Sequence, residues 1–152
     1  MANHVRTQIR DAALVLVTSL TTTGARAYAG RPETRPLQPT ELPGLLVHTK
    51  DTESEDISGT RGSRRFQHLC DVVIDGFSKG TGDIDATLDT IEKEVRVALE
   101  ANVTLGGLCK DLVCVSANKE DDPEAEQPCW RIRMTWRCEY HTREGAPDAA
   151  LA

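Results

Sequence analysis

The chain has 152 residues, of which 39% are hydrophobic and 28% charged, and a formal net charge of −6. That length can bury a core without a staple, so 1–152 is expected to form one domain, and the composition excludes wholesale disorder, a collagen-like fibre and a disulfide miniprotein. The acidic balance argues against a general grip on nucleic-acid phosphate. The longest apolar run, Ala12–Val17, is far short of the roughly 20 residues that span a membrane.

Residues 3–20 read as an amphipathic helix, with Val5, Ile9, Ala12, Ala13, Leu16 and Leu20 on one stripe and Asn3 as a cap. Met1–Arg10 lacks the basic-then-apolar order of a signal peptide, and Asp11 follows directly, so a cytoplasmic start is expected. Residues 25–29 suit a short strand. Gly30, Pro32, Pro36, Pro39 and Pro43 punctuate the connection after it. Leu45–Lys50 is a second strand. Asp51–Gly62 is acidic and polar, and is expected to be a mobile loop.

Arg64–Ser78 reads as a long third strand, with Phe66, His68, Cys70, Val72, Ile74 and Gly76 on one face. A second helix runs from Gly82 or Asp83 to about Asn102, its apolar residues Ile84, Leu88, Ile91, Val95 and Leu99 at helical spacing. Asp83 and Asp85 sit where carboxylates favour the helix dipole. Leu112–Ala117 is a fourth strand and Lys119–Glu126 an acidic turn. Cys129–His141 alternates sharply: Trp130, Ile132, Met134, Trp136, Cys138 and Tyr140 face the core, while Arg131, Arg133, Arg137 and Glu139 face away. Arg143–Ala152 is expected to fray. The order αβββαββ fits an α+β fold: an antiparallel or mixed sheet with two main helices on one face and a long C-terminal hairpin.

Chemistry-bearing motifs are scarce. Neither GxxxxGK[ST] nor GxGxxG is present, and no GxSxG surrounds a serine. Gly80-Thr81-Gly82 precedes a helix, but Asp83 and Asp85 fill the place an anion would take. The five cysteines contain no CxxC and read as reduced thiols packed as small hydrophobes. His68 and Cys70 share one strand face, which aims them in parallel rather than at one atom. Asp83, Asp85 and Asp89 lack an oxygen-rich partner loop. No cofactor or metal is expected.

Charge patterning carries more. Arg131, Arg133 and Arg137 make a basic stripe, with Arg64 and Arg65 opening the third strand. The acidic segments hold Asp51, Glu53, Glu55 and Asp56, then Glu120, Asp121 and Asp122. Complementary patches on one chain suit head-to-tail association, which closes into rings. The arginines are therefore candidates for a subunit interface, and the acidic residues for a lumen or a partner-facing surface.

The order of segments also carries a family resemblance. After the first helix comes Thr22-Thr23-Gly24-Ala25-Arg26-Ala27-Tyr28-Ala29-Gly30-Arg31, then Leu42-Pro43-Gly44-Leu45-Leu46-Val47-His48-Thr49, then the strand with Arg64-Arg65. Asp85-Ala86-Thr87-Leu88-Asp89-Thr90-Ile91-Glu92-Lys93-Glu94-Val95, Thr104-Leu105-Gly106-Gly107-Leu108 and the hairpin follow. Over roughly 3–145 the chain resembles the tail terminator (tail completion) proteins of long-tailed bacteriophages, the minor tail protein U group. The resemblance implies a compact α+β unit and a non-enzymatic structural role in the virion. It implies a homo-oligomer, usually a hexameric ring, on the head-proximal end of the tail. Its partners would be the tail tube protein and a head-completion or neck protein, with DNA passing the lumen without sequence-specific binding, and assembly would occur in the host cytoplasm. Six copies would carry roughly −36, six times −6, a charge that lets DNA slide rather than stick. Other readings are a different neck or head–tail connector protein and a small α+β hydrolase using Cys70 or a carboxylate cluster.

Overall fold

The computed structural model describes residues 2–30, 37–78, 82–122 and 129–151. Helix α1 spans Val5–Val17, strand β1 Ala27–Ala29, β2 Gly44–Ser58, β3 Arg65–Phe77, helix α2 Ile84–Glu100, β4 Asp111–Asp122, β5 Cys129–Arg143 and β6 Ala146–Ala150. The α+β arrangement expected from the sequence is the one observed.

The two helices form for the reasons their sequences state. In α1, Val5, Ile9, Ala13 and Val17 recur every four residues and are buried. The cap is His4, whose Nδ1 accepts from Arg6 N at 3.1 Å, one residue past the expected Asn3. In α2, Leu88, Ile91, Val95 and Leu99 are buried, and the Asp83 carboxylate accepts from Ala86 N at 3.1 Å. An acidic cap and Asp85 in the first turn both suit the positive end of the helix dipole.

The sheet is mixed, in the order β1-β2-β3-β5-β4, with β6 beside β5. Strands β1 and β2 run parallel and the remaining pairs are antiparallel. Both helices cover one face. There Leu45, Val47, Cys70, Val72, Ile74, Ile132, Met134, Trp136, Cys138 and Tyr140 meet the helix stripes in one core. Trp136 and Tyr140 are fully enclosed, as the alternation predicts. Trp130 is not: it sits at the end of the strand beside the first turn of α2 and is 44% exposed. On the opposite face, Leu37, Leu42, Leu46 and Phe77 form a small second cluster with Tyr28.

Three expectations change. The acidic stretch after Lys50 is strand as far as Ser58, not a mobile loop, with Glu53 opposite Leu69 and Glu55 opposite Gln67. Likewise Lys119–Asp122 continues β4 rather than forming a turn, with Glu120 opposite Arg131. In both places polarity misled, because ladder hydrogen bonds ask nothing of side-chain hydropathy. What ends these strands is backbone punctuation: no Gly or Pro occurs from Leu45 to Ser58 or from Cys109 to Asp122. The tail is also ordered. Gly145, at φ +80, turns the chain so that β6 pairs with β5, and Gln8 Nε2 donates to Asp148 O at 2.8 Å. The order is thus αβββαβββ. The Gly80-Thr81 turn, Pro32 and Pro36, and the acidic residues Glu124 and Glu126 lie outside the described residues.

One carboxylate joins two turns. Glu144 Oε2 accepts from Gly62 N at 2.6 Å and from Arg64 N at 3.2 Å, tying the β2–β3 turn to the β5–β6 turn.

Candidate interaction surfaces

The basic stripe lies on the sheet face away from the helices, and the register decides what it touches. Arg133 stands opposite Asp75 across β3 and β5, and their side chains meet twice, Nε to Oδ1 at 2.8 Å and Nη2 to Oδ2 at 3.0 Å. Asp75 is only 2% exposed. Arg131 stands opposite Glu120 and reaches it at 2.7 Å. Arg137 faces Asp71 at a looser 3.8 Å and is 55% exposed. Arg64 lies 3.4 Å from both Asp56 and Glu144, and Arg65 Nη2 meets His141 Nδ1 at 3.0 Å. The structure therefore brings Arg64, Arg131, Arg133 and Arg137 together with acidic residues of the same chain, and Arg65 with a histidine. Cross-strand pairing of opposite charges is what this geometry favours, and Arg137 is the most exposed of the three stripe arginines.

Of the acidic candidates, Glu120 and Asp56 are engaged in those pairs. Glu53 and Glu55 are exposed on β2 and make no ion pair among the described residues. The side chains of Asp51, Asp121 and Asp122 lie outside the described set.

Cys70, Cys109, Cys114 and Cys138 are free thiols, all buried except Cys114, which is partly exposed. Burial raises the pKa of Cys70 and Cys114. A hydrogen bond to Cys109, together with burial, raises that of Cys138. These three thiols, held in the neutral form, are poor nucleophiles, whereas the hydrogen bond with Cys138 lowers the pKa of Cys109. His68 does not pair with Cys70. Its Nδ1 meets Ser54 Oγ at 2.7 Å, its Nε2 meets Thr142 Oγ1 at 2.8 Å, and its ring stacks on Tyr140 at 4.6 Å. Burial lowers its pKa, and the positive charges of His4, Arg6 and His141 add to the effect. A weakened base whose second nitrogen meets a hydroxyl rather than a carboxylate lacks the support a catalytic triad gives its imidazolium. Asp85 and Asp89 hold the Lys119 ammonium between them, at 2.7 and 2.6 Å, so a cation already occupies that place.

A feature the sequence reading missed is the margin of the sheet at β4, whose outer side no strand pairs with among the described residues. Val113 and Val115 are each 49% exposed there. The run Leu112–Asn118 carries no charge, and a bulge interrupts its register between Cys114 and Ser116. The signal was present as an uncharged β-branched run, but edge position is set by strand order.

No protein-family model matches the chain, and no curated protein matches it. Among solved structures it is similar to a chain of the "Virion of native gene transfer agent (GTA) particle", with 19% identity, 90% of each chain covered and a TM-score of 0.38.

Proposed function

We propose that this chain is a structural protein of a phage-like virion, of the tail-terminator type, acting by self-assembly rather than by turning over a substrate. The observation that carries the reading is the β4 edge: a long strand whose central seven residues are uncharged and whose valines are half in water. Sheet edges are normally blunted by charge, proline or a bulge; this one has the bulge between Cys114 and Ser116 but no charge from Leu112 to Asn118, and a strand edge without charges is a template for another chain. A surface that docks on a different surface of the next copy closes into a ring. In this reading the ring is a hexamer at the head-proximal end of the tail. It meets the tube protein on one side and a head-completion or neck protein on the other, and DNA passes through its lumen without being bound.

Native mass spectrometry of the purified chain, alone and with tail tubes, tests this. Rings are expected, and Val113→Lys with Val115→Lys should leave folded monomers. A chain that stays monomeric at high concentration and with tubes present would remove the proposal. Rings located elsewhere in the particle neck would favour a different connector protein.

A further inference from the structure

The opposite margin of the sheet, at β2, is uncovered over most of its length among the described residues, and its chemistry differs. Strand β1 covers β2 only from Leu45 to Val47. Beyond Val47 no strand pairs with the outer side of β2 among the described residues. Residues 53–58 are exposed there. On the face away from the helices, Glu53, Glu55, Gln67 and Leu69 surround a hollow of about 320 Å³ that also takes in Ser54. Its floor is apolar at Leu69, and its rim carries two carboxylates without an ion pair among the described residues.

We infer that this margin accepts an extended, basic segment of a different protein as an added strand. The segment would place a lysine or arginine side chain in the hollow. The unpaired backbone supplies the ladder hydrogen bonds. A long basic side chain matches the hollow, because its aliphatic stem can lie over Leu69 while its charged end reaches Glu53 and Glu55. A second copy fits poorly. Its own β2 margin would set carboxylates against carboxylates, and its β4 margin is uncharged from Leu112 to Asn118, with Lys119 already held by Asp85 and Asp89. The inference stands whether or not copies close into a ring.

The test uses the full chain and three synthetic octapeptides. One alternates lysine with threonine and valine. The second is the same peptide with alternate backbone amides methylated, which keeps the charge and removes the ladder bonds. The third replaces lysine by glutamate. The lysine peptide should bind and slow amide exchange within residues 52–58. Glu53→Gln with Glu55→Gln, exposed changes whose fold is checked by circular dichroism, should weaken binding on the order of tenfold. Equal binding of the methylated peptide would reduce the effect to charge attraction and overturn the inference. So would exchange protection at β4 instead of β2, binding of the glutamate peptide, or no binding at all. The exchange measurement on the unaltered chain needs no variant.

Discussion

Asp75 and Arg133 show how a single register pairing turns a surface reading into a structural one. The carboxylate is almost wholly enclosed and both its oxygens meet the guanidinium. Removing one partner of such a pair leaves the other stranded. Asp75→Ala should therefore cost about 3 kcal/mol in urea unfolding, and Arg133→Glu should do at least as much harm by setting two carboxylates together. A charge reversal at Arg133 thus cannot report on assembly alone. Arg137→Glu can: its partner is 3.8 Å away and the side chain is largely in water, so stability should change by less than about 1 kcal/mol. If the basic stripe meets a neighbouring copy, native mass spectrometry should show this variant losing the ring while remaining folded. The histidines give a pH dependence. His4, His68 and His141 all have lowered pKa values, in each case chiefly through burial. Above the ordinary histidine value of about 6.5 both folded and unfolded chains hold these rings neutral, and nothing is lost. As the pH falls below it, the unfolded chain takes up protons first, so the folded state loses ground. The urea midpoint should drop between pH 7 and pH 5, and His68→Gln should make the drop shallower.

At the scale of elements, the legible parts were those that periodicity controls. The stripes of α1 and α2 and the alternation of β5 could be read directly because burial on one face imposes a period. The extents of β2 and β4 could not, since Glu53, Glu55 and Glu120 look like loop residues until their strand partners are known. The same limit hid the candidate surface. Arg131, Arg133 and Glu120 were all identified, but that Glu120 neutralises Arg131 while Asp75 neutralises Arg133 depends on strand order, which no local pattern encodes. Strand β6 was missed because its sequence, Ala-Pro-Asp-Ala-Ala, has neither bulk nor branching. Where α2 crosses the sheet, a Cβ on Gly76 would come within 2.7 Å of Ile91 Cγ2 and 3.2 Å of Ile132 Cγ2. Both are stiff branched side chains, so helix and sheet would have to part. Gly76→Ala should cost about 1–3 kcal/mol, read as a lower urea midpoint.

For the whole molecule, the arrangement separates three regions. The helix-covered face holds the core. The other face carries cross-strand charge pairs, with Glu53 and Glu55 outside them. The two margins differ: β4 has an uncharged run from Leu112 to Asn118, and β2 carries Glu53 and Glu55. The unlike margins give the molecule a direction in the plane of its sheet and suit them to different occupants. Raising the salt concentration should therefore affect the margins differently. It should leave any contact through Val113 and Val115 nearly unchanged and loosen a basic ligand from Glu53 and Glu55, since screening acts on exposed charges and not on apolar burial. Binding and assembly measured across a salt series would check this, and a ring that dissolves in salt while the basic peptide stays bound would contradict it.

The Glu144 clip gives the long β2–β3 hairpin a mechanical property. A two-stranded ribbon held only at its base would swing at its tip. Here the tip is riveted to a second turn through one carboxylate that reaches Gly62 and Arg64. A load on the tip therefore reaches β5, the strand that carries Trp136 and Tyr140, by two routes: the β3–β5 ladder that runs the length of β3, and the Glu144 clip at its end.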